Sequence, residues 1–115
     1  MARYQTTALS RSGIIVPFRG QLQSVRWIYT GTVATKFYIQ LFDSTTVPAD
    51  TTVPSIVFAG LGSTTADQSG LLDLSGPGIF FPASTGLSWA LSSTLATKTQ
   101  VASDFVWLEA TYVNG

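Results

Sequence analysis

The stretch KFYIQLFDSTTVPADTTVP, from Lys36 to Pro54, decides the fold of this chain. Its first part has the periodicity of a strand, because Phe37, Ile39 and Leu41 alternate with more polar neighbours and give the pleat one apolar face. Turn-forming residues and two prolines follow at once, and proline removes a backbone donor from a sheet. We therefore expect a strand that ends in a long ordered connection, where the sheet changes direction, rather than in a tight hairpin.

Strand patterns separated by turn residues recur on both sides of this stretch, and no segment requires a helix. The predicted strands are 13–17, 21–30, the one that begins at Lys36, 53–59, 70–74, 79–81, 87–92 and 104–113. This pattern predicts an all-β fold, an eight-stranded antiparallel sandwich of two sheets and most economically a jelly roll. An immunoglobulin-like sandwich is the alternative, although the Cys–Trp–Cys spacing of antibody domains is missing. The predicted core consists of Phe37, Ile39, Leu41, Phe58, Leu87, Trp89, Leu91, Val106 and Leu108.

The first twelve residues differ from the rest, since they are polar and have neither strand nor helix periodicity. We interpret residues 1–12 as an extended N-terminal arm and residues 13–115 as one β-sandwich domain. The arm and the segment after it are basic, with four arginines before residue 30, whereas the acidic residues begin at Asp43. Either the arm is solvated, or even disordered, or it docks on an acidic partner or a neighbouring subunit.

Composition excludes several classes of chemistry. The chain has no cysteine and no histidine, so disulfides, thiol nucleophiles, imidazole bases and the usual zinc or haem ligand sets are not expected. Its six acidic residues are scattered singly, mostly beside predicted turns, and no D-x-D calcium spacing occurs. We therefore predict no catalytic residues, no metal and no cofactor, and a protein that is not an enzyme.

Composition and charge also indicate which partners to expect. Four dispersed arginines do not make a patch for nucleic acid, and no signal peptide or membrane-spanning run is seen, so neither nucleic acid nor a membrane is an expected partner. Only 10% of the residues are charged, which favours a surface that is covered by other proteins. Trp89 falls on the most regular apolar face and is predicted to be core. Trp27 and Trp107 lie on strands with two apolar faces, which suit a subunit interface or a platform for stacking sugars.

Three segments carry a resemblance to a known group of proteins: YIQLFDSTTVPADTTVP (38–54), GIFFPASTGLSWALSST (78–94) and WLEATY (107–112). Together with the chain between them, they resemble small jelly-roll virion proteins of tailed bacteriophages, of the head decoration or cement type. The resemblance covers about two thirds of the chain and leaves out the first twenty residues. It implies a non-enzymatic structural protein on the capsid surface of the virion, made in the host cytoplasm, that stabilises the capsid by binding the major capsid protein. A carbohydrate- or receptor-binding module on a phage tail or fibre is the alternative.

The predicted partner contacts follow from the N-terminal arm and from the strands that have apolar residues on both faces. A closed homo-oligomer would bury surplus apolar surface, and a trimer suits sites of local threefold symmetry on a shell. We hypothesise a homotrimer whose arms reach an adjoining subunit or the capsid, with further contacts from two exposed tryptophans. The predicted partner-binding residues are Arg3, Tyr4, Arg11, Ile14, Ile15, Trp27 and Trp107.

Overall fold

The computed structural model describes residues 2–29, 36–61, 68–73, 81–83, 85–101, 104 and 106–114. Within these ranges the protein has nine β-strands and no helix. The strands are β1 (Ala2–Gln5), β2 (Ser12–Val16), β3 (Gly20–Tyr29), β4 (Lys36–Asp43), β5 (Ile56–Leu61), β6 (Gln68–Asp73), β7 (Phe81–Ala83), β8 (Leu87–Ser92) and β9 (Val106–Asn114).

The strands form two antiparallel sheets, which confirms the predicted all-β sandwich. Sheet A has the order β1-β9-β3-β6, and the short strand β7 pairs with the first residues of β3, beside β6. Sheet B has the order β2-β8-β4-β5. A core of apolar side chains lies between the two sheets.

The pairing is nested along the chain. β1 pairs with β9, β2 with β8, β3 with β6 and β7, and β4 with β5. Two further pairings, β3 with β9 and β4 with β8, join these pairs into the two sheets. The first half of the chain is therefore folded back along the second half, and successive pairs alternate between the sheets.

The predicted core is confirmed at every position whose side chain is described. Phe37, Ile39, Leu41, Leu87, Trp89, Leu91, Val106 and Leu108 are fully buried. Phe58 lies on β5 opposite Ile39, and its side chain is outside the described part of the structure. The rings of Tyr29 on β3 and Phe37 on β4 stack with centroids 5.3 Å apart, so this aromatic pair joins one sheet to the other.

The first part of the N-terminal segment is a strand of the protein's own sheet, whereas the sequence predicts an extended arm without a strand. β1 pairs with β9 over four residues, which adds a ninth strand to the eight predicted after residue 12. Beyond β1, the Thr6 amide donates to the Leu108 carbonyl at 3.0 Å and the Leu108 amide donates to Thr6 Oγ1 at 3.1 Å. Hydrogen bonds along the β9 edge therefore hold a segment whose own apolar pattern is too short to indicate a strand.

Two element boundaries differ from the sequence prediction. β5 begins at Ile56 rather than at residue 53, since Pro54 has no amide to donate and Val53 is exposed. The loop predicted over 60–69 is shorter at both ends, because Gly60 and Leu61 still pair with β4, and β6 already begins at residue 68. The turn predicted at 76–78 and the first two residues of the strand predicted at 79–81 lie outside the described residues.

Candidate interaction surface

The outer side of sheet A carries the surface most suited to a partner, and we call it the sheet A face. It consists of side chains that point away from the core on four adjacent strands. They are Arg3 on β1, Trp107, Glu109, Thr111 and Val113 on β9, Ser24, Arg26 and Ile28 on β3, and Leu71 on β6.

Strand periodicity creates this face. On β9, the buried residues Val106, Leu108 and Ala110 alternate with Trp107 and Glu109, which are only partly buried. Successive side chains of a strand point to opposite sides of the sheet, so one set enters the core and the other faces outward. The register of β3 and β6 against β9 then brings their outward side chains into the same layer.

An apolar strip crosses three strands of this face. Trp107 lies opposite Ile28 in the β3–β9 register, and both side chains are partly exposed. Leu71 lies opposite Arg26 on the far side of β3 and is 64% exposed, which is high for a leucine in the middle of a strand. Side chains opposite or diagonal to each other across strands are within contact range, so these three residues form one patch. Exposed, clustered apolar groups of this kind are typical of binding surfaces.

A charged cluster lies beside the strip. Arg26 Nη2 and Arg3 Nε lie 3.5 and 3.9 Å from the same Glu109 oxygen, Oε2. The side chain of Glu109 is 21% exposed, whereas that of Arg3 is 61% exposed and that of Arg26 is 56% exposed. Exposed ion pairs of this length contribute about 0–1 kcal/mol each. Two guanidinium groups thus share one carboxylate, and Arg3 Nη2 also donates to Gln5 Oε1.

The outer side of sheet B differs, because five of its described side chains are buried, whereas Ile14, Tyr38 and Val57 on the same side are partly buried. Gln40, Phe42, Ser88, Ala90 and Ser92 point away from the core and are nevertheless at most 2% exposed. Burial on both sides explains why every residue of β8 is buried, where the sequence predicts only one buried face.

Hydrogen bonds from Gln40 explain part of this burial. Its Nε2 donates towards the carbonyl oxygens of Thr94, Leu95 and Thr97, at 3.0, 3.2 and 3.2 Å. Ser92 Oγ also donates to the Thr94 carbonyl, at 2.8 Å. Hydrogen bonds from Gln40 and Ser92 therefore fix the connection after β8 against the outer side of sheet B, where it covers these two side chains.

The long connection between β4 and β5 is attached to that same segment. Lys98 is 3% exposed, and its Nζ lies 2.8 Å from Asp50 Oδ1. The Thr51 amide donates to the Lys98 carbonyl at 2.7 Å, and the Lys98 amide donates to the Thr52 carbonyl at 2.8 Å. The hydrogen bond from Lys98, with a second from the Gln100 amide, lowers the pKa of Asp50. These hydrogen bonds join the two connections, in agreement with the long ordered connection that the sequence predicts after β4.

The predicted partner-binding residues near the N-terminus do not form one surface. Arg3 lies on the sheet A face, whereas the Tyr4 hydroxyl accepts a hydrogen bond from Trp89 Nε1 at 3.2 Å and packs against the core. Ile15 is buried and Ile14 is partly buried on β2. Arg11 Nε lies 3.8 Å from Asp104 Oδ1, and Arg11 follows Ser10, which forms a β-bridge with Val106 at the start of β9.

The two tryptophans of the predicted platform lie on opposite sides of sheet A. Trp27 pairs in register with the buried Leu108 and packs against the core, and its ring lies directly over Gly70, where a Cβ would collide with it. Trp107 is on the outer side. A platform formed by both rings is therefore not present, and Trp107 alone remains on the candidate surface.

The predicted partner-binding residues do not include four residues of the candidate surface, namely Arg26, Ile28, Leu71 and Glu109. The alternation along β3 and β9 already places three of them on mixed faces. What the sequence does not show is that β9 pairs with β3 and β6 flanks it, since this order depends on contacts distant along the chain.

The described residues limit the other kinds of site. Within ranges 2–29, 36–61, 68–73 and 81–114 with their gaps, no group of three or more acidic side chains is placed to hold a metal ion. The same part of the chain contains no helix of the length and apolarity needed to cross a membrane. The described strands thus define an all-β sandwich of two antiparallel sheets. Comparison of the chain with protein-family models, with curated proteins and with solved structures gave no match.

Proposed function

We propose that this protein is a non-enzymatic structural component of a bacteriophage virion, a head decoration or cement protein that stabilises the capsid by binding its shell subunits. The sheet A face carries this proposal. It presents Trp107, Ile28 and Leu71 beside two exposed arginines, whereas Gln40, Phe42, Ser88, Ala90 and Ser92 on the outer side of sheet B are buried. The sheet A side of the sandwich therefore offers apolar and charged groups together, as binding to a shell requires.

The nested strand order supports a jelly roll as the finer description of the fold. In a jelly roll, eight strands form two antiparallel sheets through two Greek keys, and this architecture is common among viral capsid proteins. The pairing of β1 with β9, β2 with β8 and β4 with β5 follows that arrangement. The sixth position of such a roll corresponds here to the two short strands β6 and β7, both of which pair with β3.

The major capsid protein is the proposed partner, and the capsid surface the proposed location. Interfaces gain most from apolar and aromatic groups at their centre with polar groups at the rim, and Trp and Arg are the residue types that most often dominate binding energy. On the sheet A face, a tryptophan and an arginine, Trp107 and Arg26, lie in neighbouring positions. Its low overall content of charged residues, 10%, further favours close association with other subunits.

A homotrimer remains the proposed assembly. In this arrangement three copies surround a local threefold axis of the shell, each with its sheet A face towards the capsid. β1 is then part of its own protomer, and Arg3 contributes to the contact from that strand instead of from a free arm.

A sugar- or receptor-binding role on a tail or fibre is the second candidate, and the position of Trp107 favours it. An aromatic ring on an open sheet, with Arg26 and Glu109 within two residues in the register, combines a stacking surface with hydrogen-bonding groups. Sugar-binding sites use both.

The copy number of the protein in purified virus particles tests the proposal and separates the two roles. A decoration protein is present in proportion to the shell subunits, whereas a tail or fibre module is present in only a few copies. The protein's absence from particles would overturn both candidates. Few copies, together with loss of glycan binding in Trp107→Ala, would replace the first candidate by the second.

A further inference from the structure

We infer that the sheet A face binds an acidic partner surface, one on which carboxylates lie next to apolar side chains. This inference rests on the proposed role as a shell-binding protein and adds the chemistry of the partner. It is carried by the arrangement of Arg3, Arg26 and Glu109 beside the apolar strip.

The charges on this face are unequal. Two arginines and one glutamate give the cluster a net charge of +1. Glu109 is also the least exposed of the three side chains, so a partner that approaches this face meets mainly the two arginines. By contrast, Arg11 has a carboxylate partner of its own, Asp104, with Nε 3.8 Å from Oδ1. An unbalanced pair of arginines next to apolar groups is suited to carboxylates, which a guanidinium can bind through two parallel hydrogen bonds.

The charge also argues against a second copy of this chain as the occupant. A twofold pairing of sheet A faces would bring the same patch of each copy together. Two clusters of net charge +1 would then be buried against each other, and like charges at an interface oppose binding. A partner with carboxylates at the matching positions removes that cost, and its apolar groups bury Trp107 and Leu71.

Binding of the purified, full-length protein to virus particles stripped of it tests the inference, with variants whose effects have opposite signs. Arg26→Glu should weaken binding roughly five- to thirtyfold, because it loses one attraction and adds a repulsion. Glu109→Gln should strengthen binding, since it removes the carboxylate that pairs with both guanidinium groups and raises the net charge of the cluster from +1 to +2. Arg19→Glu is the matched control: it makes the same charge change at an exposed residue between β2 and β3 and should leave the affinity within about twofold.

The salt dependence of the affinity is a second measurement of the same contact. Added salt screens exposed charges, so it should weaken the parent and Glu109→Gln more than Arg26→Glu. Urea unfolding of each variant checks that the comparison is between equally folded proteins.

The outcomes separate the inference from the function on which it rests. Absence of binding by the parent protein would overturn both. Binding by the parent that is unchanged in Arg26→Glu, or weakened in Glu109→Gln, would leave the shell-binding role intact and overturn the acidic partner.

Discussion

The hydrogen bond between Tyr4 and Trp89 gives a direct test of where the N-terminal strand lies. Tyr4 is on β1 in sheet A, and Trp89 is fully buried on β8 in sheet B. The indole Nε1 donates to the Tyr4 hydroxyl at 3.2 Å. Gly13 leaves the space for this contact, because a Cβ there would collide with the Tyr4 hydroxyl. The substitution Tyr4→Phe removes the acceptor and keeps the ring.

The expected cost follows from leaving one donor without a partner. A buried N–H that loses its acceptor costs about 1–3 kcal/mol of folding free energy. For a domain of 115 residues, whose total stability is on the order of 5–15 kcal/mol, this is a large fraction. With a urea m-value of about 1.5 kcal/mol/M, it lowers the midpoint of unfolding by about 0.7–2 M.

Urea unfolding followed by tryptophan fluorescence measures this change. Tyr112→Phe is the matched control, because Tyr112 also packs against the core from sheet A and its hydroxyl has no hydrogen bond to a described residue. The control should unfold within about 0.5 kcal/mol of the parent. Equal stability of Tyr4→Phe and the parent would refute the docking of β1 on its own chain and favour an arm that extends to a neighbour.

Three further substitutions test the core and the cover of sheet B. Trp89→Ala should destabilise the protein by about 3–5 kcal/mol, measured by urea unfolding, and a variant as stable as the parent would contradict its place in the core. Gly70→Ala should cost about 1–3 kcal/mol in the same assay, because the added methyl group meets the Trp27 ring; an unchanged midpoint would show that the ring does not lie there. The pKa of Asp50 is lowered in the folded protein by its hydrogen bond from Lys98, so the carboxylate stabilises the fold above the unfolded-state pKa, near 4, and this contribution is lost as the pH falls through the lowered value. Asp50→Asn should therefore be less stable than the parent at pH 7 and approach it in acid, and a difference that is constant with pH would contradict the pairing.

The sequence predicts the parts of this fold that are set by local pattern. Alternation identifies Phe37, Ile39 and Leu41 on one strand and Trp89 on another as core, and all four are fully buried. Proline and turn-forming residues identify the long connection after β4. These features depend on which face of a strand is apolar, and a few consecutive residues contain that information.

Other features depend on contacts between distant segments, and the sequence does not show them. β1 has no apolar pattern of its own and is a strand because β9 offers it an edge. The second buried face of β8 arises because Gln40, on another strand, holds the connection after β8 in place. The candidate surface has the same origin. β9 has apolar residues on both of its faces, and Trp107 lies beside Ile28 only because β9 pairs with β3 in this register.

Cross-linking on the virus particle tests most directly which side of the protein meets the partner. Leu71 on the sheet A face and Val53 in the connection between β4 and β5 are similarly exposed, at 64% and 72%. A photoreactive amino acid is placed at one position or the other, the protein is bound to purified particles, and the products are identified by mass spectrometry. We expect a covalent adduct with the major capsid protein from position 71 and none from position 53. Cross-linking from position 53 alone, or from neither position on particles that retain the protein, would contradict this expectation.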